Sequence, residues 1–265
     1  MREKSLRYQL TTIVLAPILV AQGRHVRRVT PRLPEPPGPR SGSEGTGPEL
    51  RLLILGDSAA AGVGAATQEE ALSGQLLSQL RSTFRVFWKL NAQSGYTAKD
   101  VVNCLEAATA EPFDVALVSV GVNDVTGRTR KLEWCAQQAR LIWLLKAKFD
   151  VQHILLSSLP PMHLFPALPQ PLRWYLGTRA KQFNQLLRKI AGADAQCEFL
   201  AITFPLKGGY TAADGFHPGA LAYSAWAHLA AATIQARIHQ KAGLRGSRGY
   251  TGPTRIPTDG ATVSP

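Results

Sequence analysis

The chain has 265 residues, 45% of them hydrophobic, with a formal charge of +12. That length and composition fit a globular protein with one sizeable core. Much of the charge lies at the ends. Residues 1–50 hold eight Lys/Arg against four Asp/Glu and residues 241–265 hold four against one, leaving +5 for the middle. There is no zinc-finger spacing, no aromatic-and-basic RNA-binding motif and no heptad-linked basic region, so nucleic acid is set aside as a partner. The basic ends could still attract anionic lipid or acidic polymer.

In chain order, Arg2, Lys4 and Arg7 precede an apolar run over 10–21 that Pro17 interrupts. Twelve residues fall short of the ~20 a membrane-spanning helix needs. Arg24, His25, Arg27 and Arg28 follow at once, a poor setting for a cleaved export signal. Three readings of residues 1–28 stay open: an atypical signal or anchor, an interfacial segment on lipid, and an arm packed on the domain. The expected location is the cytoplasm or the membrane periphery, with export by an atypical signal left open. Residues 29–48, rich in Pro and Gly, read as an extended linker.

The folded domain is expected over 49–241. Strands are predicted at 50–55, 85–90, 115–120, 153–158 and 198–202, and helices at 68–80, 98–108, 131–149, 177–190 and 219–240. Thr67 and Glu70 have capping-box spacing ahead of the Leu72, Leu76, Leu77, Leu80 stripe. Strand alternating with helix implies an α/β fold, a parallel sheet with helices on both faces. In such sheets ligands sit at the carboxyl ends of strands. Residues 159–176 contain five prolines among large apolar side chains. They read as the wall of an apolar pocket, with Leu164, Phe165, Leu168 and Trp174 facing substrate. Cys104, Cys135 and Cys197 read as small buried hydrophobes rather than a disulfide framework. The tail over 242–265 reads as disordered and basic.

Four polar clusters carry chemistry. Gly56-Asp57-Ser58 puts a hydroxyl on the turn leaving a buried strand, where an adjacent base could activate it. Asp214 and His217, three apart, can pair within a turn, the carboxylate fixing the tautomer while the second ring nitrogen faces Ser58. The amides of Ser58 and Gly95 and the side chain of Asn123 could donate to a carbonyl oxygen as it gains charge. Asp57 and Asp124 read as holding their loops. No cofactor or metal is expected, because His217 has no His or Cys partner at ligand spacing.

Taken together and in this order, the clusters around Ser58, Gly95, Asn123 and His217 resemble those of the SGNH (GDSL-type) esterase and lipase family. The resemblance covers about residues 50–240 and departs from the family's literal motif at Ala59, where many members have leucine. It implies a three-layer α/β/α sandwich with a five-stranded, doubly wound parallel sheet. It also implies a catalytic Ser58, His217 and Asp214 with an oxyanion hole of Ser58, Gly95 and Asn123. The family spans lipases, lysophospholipases, thioesterases, arylesterases and carbohydrate deacetylases, so the expected substrate is a small-molecule or lipid ester. The rival readings are an acyltransferase built on the same site and a membrane-associated binding protein without turnover.

Overall fold

Apart from the exposed Arg51, residues 50–55 are apolar on both faces, and in the computed structural model Leu50, Leu52, Leu53, Ile54 and Leu55 are all buried. A strand covered on both sides belongs in the middle of a parallel sheet. The structure describes residues 2–127, 129–203 and 209–247. The strands are β1 Ser41–Glu44, β2 Glu49–Gly56, β3 Arg85–Ala92, β4 Val115–Ser119, β5 His153–Ser157 and β6 Cys197–Leu200, in the order β1-β3-β2-β4-β5-β6. The chain passes from β2 to β3 on one side and then returns to β4 on the other, so the winding direction switches at β2. Gly56 of β2 is in register with Ala92 of β3 and with Ser119 of β4. The turns that leave these three strands therefore emerge at one edge.

The helices are α1 Arg2–Val29, α2 Ser58–Ala61, α3 Leu72–Leu80, α4 Ala98–Ala107, α5 Val122–Thr126, α6 Lys131–Ala147, α7 Leu172–Gly192 and α8 Ala220–Ser247. On one face of the sheet, Leu53, Leu55, Ala116, Val118, Ile154 and Leu156 join α4, α6 and α7 in a single apolar cluster. The alternating residues Leu52, Ile54, Leu117 and Leu155 are buried too, outside that cluster, as a period of two requires. Leu72, Leu76 and Leu80 of α3 and Tyr223 of α8 are buried apart from it as well. Contacts divide the chain into Met1–Ala231, which holds the sheet, and Ala232–Pro265, whose described residues continue α8.

Several expectations are corrected. Among the described residues the sheet has six strands, not five, because β1 runs antiparallel along β3 within the supposed linker. Its sequence, Ser-Gly-Ser-Glu, is exposed throughout, so no hydrophobic alternation marks it, and backbone pairing with β3 holds it. The rest of that proline-rich segment is tied to the domain. The Gln68 amide donates to the Pro37 carbonyl, and Glu35 accepts from the Ser94 amide at 2.6 Å. The helix expected from residue 68 starts at Leu72, since Gln68 turns inward. Its side chain donates to the Ala61 carbonyl and accepts from the Ser73 hydroxyl, both at 2.8 Å. The helix expected from residue 177 starts at Leu172, directly after Pro171. All three cysteines are half-exposed and free rather than buried. Helix α8 runs to Ser247, into the supposed disordered tail, and residues 248–265 lie outside the described residues.

Helix α1 packs against the domain. Leu19 is buried in the core cluster, with Leu15 and Val26 packed against it. Gln22 donates to the Gln170 carbonyl at 2.6 Å and accepts from the Leu172 amide at 3.0 Å. Among the described residues no helix is long and apolar enough to cross a membrane.

Candidate active site

Ser58 opens α2, the four-residue helix one residue beyond β2. The turn is tight. A Cβ on Gly56 would lie 1.9 Å from the Ser119 carbonyl oxygen, so only glycine fits there. Asp57 caps the helix, its carboxylate accepting from the Ala59 amide at 3.1 Å. Burial pushes the Asp57 carboxyl up to about 6, against the amides of Ala59 and Gly121 and the nearby His217.

His217 arrives on the loop before α8. Its carbonyl accepts from the Ala212 amide at 2.9 Å, and the Gly215 amide donates to the Ala212 carbonyl at 3.0 Å. Asp214 Oδ1 accepts from the amides of Phe216 and His217, both at 3.0 Å. The three-residue spacing thus works through a turn, not a helix. Asp214 Oδ2 accepts from His217 Nδ1 at 2.5 Å, and the Ser58 hydroxyl donates to His217 Nε2 at 3.0 Å. Burial alone would raise the Asp214 carboxyl. The His217 ring and the two amides outweigh it, so the group is held below the usual carboxylate range. Two contacts fix this loop against the serine turn. The Tyr223 hydroxyl donates to the Val63 carbonyl at 2.7 Å, and Gly64 approaches the Pro218 carbonyl where a Cβ would be 2.3 Å away.

Asn123 follows β4 on α5. Its Nδ2 donates one hydrogen to the Tyr96 carbonyl at 2.9 Å and keeps a second. The neighbouring Asp124 is buried and accepts from the Ala98 amide at 2.9 Å, joining α5 to the start of α4. Arg179 of α7 donates to the carbonyls of Asp124, Val125 and Thr129. Gly95 lies in the turn after β3 at φ +90°, a conformation that glycine adopts without strain. A Cβ there would meet nothing within 4 Å, so the turn faces open space.

Ser58, Gly95, Asn123, Asp214 and His217 all line one cavity of about 780 Å³. A hydroxyl, an imidazole with a buried carboxylate behind it, and spare amide hydrogens beside open space can together perform acyl transfer. Of the four side chains expected to face substrate, Leu168 lines this cavity. Phe165 is buried and lines a second cavity of about 60 Å³ that also reaches Ser58 and His217. Leu164 and Trp174 are corrections. The 3₁₀ turn Met162–Leu164 buries Met162 and turns Leu164 outward. Trp174 packs on Tyr8 of α1 at 5.6 Å, while Tyr175, next along α7, lines the cavity.

Sequence reasoning missed three contributors. Helix α1 lines the cavity with Thr12, Ala16, Leu19 and Val20. Glu35 braces the turn beside Gly95, and Arg179 braces the one carrying Asn123. The apolar run over 10–21 was the available signal for the first. The other two bond backbone groups far away in sequence, and no motif marks them.

Residues 54–225 match the profile of the GDSL-like Lipase/Acylhydrolase family. The chain is 27% identical over 248 residues to a GDSL-like esterase of Mycobacterium tuberculosis, spanning 84% of this chain and 78% of that protein. Among solved structures, it is similar to a carbohydrate acetylesterase of Sinorhizobium meliloti. The TM-score is 0.54 at 19% identity, covering 71% of this chain and 99% of the other. A member of the lipolytic G-D-S-L family from Veillonella parvula gives 0.52 at 15% identity, covering 68% and 95%. At such identities these two structures speak to the fold, a mostly parallel α/β sheet with flanking helices. With the matched profile spanning well over half of its length, the chain belongs to the GDSL-like lipase/acylhydrolase family and is a carboxylic ester hydrolase.

Proposed function

We propose that the chain is a serine esterase that works through an acyl-enzyme, with Ser58 as nucleophile, His217 as general base and Asp214 as its orienting acid. The observation carrying this reading is the unbroken chain from Ser58 Oγ to His217 Nε2 at 3.0 Å and from His217 Nδ1 to Asp214 Oδ2 at 2.5 Å. As Ser58 Oγ attacks the ester carbonyl, its proton passes to Nε2. The buried Asp214 carboxylate stabilises the imidazolium that forms. The Ser58 and Gly95 amides and the spare Asn123 hydrogen receive the carbonyl oxygen as it gains charge. Collapse expels the alcohol, which takes the proton from His217. A water deprotonated by His217 then attacks the acyl-serine, releasing the acid and restoring the Ser58 hydroxyl.

The substrate proposed is an ester with one apolar chain, held in the larger cavity by Leu168, Leu172, Tyr175 and Leu176. The smaller cavity favours a second reading, a short acyl ester of a bulkier alcohol, as in carbohydrate deacetylation. Its volume of about 60 Å³ beside Ser58 suits only a small group. A series of p-nitrophenyl esters from acetate to palmitate separates the two by where kcat/KM peaks. Ser58→Ala is expected to lower turnover of the best ester by at least about 10⁴-fold. The melting temperature should stay nearly unchanged. Activity retained in that variant would overturn the assignment.

A further inference from the structure

We propose that the outward face of α1 docks on an anionic lipid surface. Helix α1 is apolar on two sides. The inner side, with Leu15, Leu19 and Val26, packs into the core cluster. On the outer side Leu10, Ile13, Val14 and Ile18 are 55, 70, 77 and 48% exposed. Their spacing of three and four residues places them in one stripe along the helix. Isolated exposed leucines are ordinary, whereas a contiguous apolar stripe on a soluble face marks an interaction site.

The occupant follows from charge. Continuing along the same side at helical spacing, Arg24, His25 and Arg28 are exposed. The helix contains a single acidic residue, Glu3, against six Lys/Arg in its sequence. A second copy laid on this face would bring cations against cations. Lipid with anionic headgroups instead meets both parts, acyl chains under the apolar stripe and phosphate beside the arginines. The helix lies on such a surface rather than crossing it, because its 28 residues are long enough to span lipid but not apolar enough. Thr12, Ala16 and Val20 of the same helix line the large cavity, so docking sets the cavity beside the lipid. The docking itself does not depend on the esterase reading.

The test is sedimentation of the full chain with vesicles of mixed phosphatidylglycerol and phosphatidylcholine, and with phosphatidylcholine alone. The expected result is binding to the anionic vesicles that weakens with added salt and is at least about tenfold lower for Ile13→Glu/Val14→Glu. Arg28→Glu is expected to lose part of the binding. Both variants should keep the melting temperature and the turnover of a water-soluble short ester, and Ser58→Ala should bind vesicles as the wild type does. No sedimentation of the wild-type chain, or equal sedimentation of the Ile13→Glu/Val14→Glu variant, overturns the proposal. So does a wild-type dimer that the variant converts to monomer without any vesicle binding.

Discussion

Asn123 holds the Tyr96 carbonyl with one amide hydrogen and keeps the other beside the cavity. If that second hydrogen meets the oxyanion, Asn123→Ala removes a donor whose worth is felt only in the transition state. The expected loss is roughly 10²–10³ in kcat with KM little changed. A variant with a lower melting temperature but intact kcat would reduce Asn123 to a tether for the Tyr96 turn. The residues at the centre of the site were legible for a physical reason. Ser58, Asn123 and Gly95 stand just past strand ends, and Asp214 and His217 are a close polar pair for which an apolar core has no use. Leu164 and Trp174 were misjudged because apolar character says that a side chain is covered, not by what. Leu164 turns to solvent, and Trp174 is covered by Tyr8 of α1.

At the scale of elements, strands with both faces buried were readable, while segments held by backbone or charge were not. The strand β1 and the stretch before it have no periodicity, yet they brace the active-site edge. Glu35 accepts from the Ser94 amide at 2.6 Å and from Arg40 at 2.9 Å, and Arg40 also donates to the Ala92 carbonyl. These contacts join the proline-rich segment to the end of β3 and to the turn carrying Gly95. The Arg40 guanidinium and the Ser94 amide hold the Glu35 carboxyl below its usual range despite the desolvation that opposes them. Glu35 is therefore a positioning residue for Gly95. Glu35→Ala is expected to lower kcat about tenfold with a smaller change in KM, since a charge-assisted hydrogen bond is worth about 1.5–3 kcal/mol. Glu35→Gln, which keeps an acceptor for Ser94, should recover much of the loss. Equal kcat in Ala, Gln and wild type would show that the segment only covers the sheet edge.

Over the whole molecule, two buried carboxyl groups near the site pull stability in opposite directions with pH. Asp214 is depressed by its partners, so its contribution is present above the ordinary carboxylate range. It is lost only as pH falls below that range. Asp57 is the reverse case. Its folded pKa of about 6 lies above the unfolded value near 3.9, so the folded state binds this proton more tightly. The stability that it contributes is complete below about pH 4 and is lost as pH rises through about 6. Asp124, also raised by burial, acts with the same sign. The Asp57→Asn variant keeps a carbonyl to cap the Ala59 amide but has no proton to lose. The melting temperature of the variant minus that of the wild type should therefore climb between pH 4 and about 7, then level off above it. A difference that stays constant across that range would mean that Asp57 is ionised throughout, its charge carried by the Ala59 and Gly121 amides and by His217. The same buried charge would then stand permanently beside Ser58.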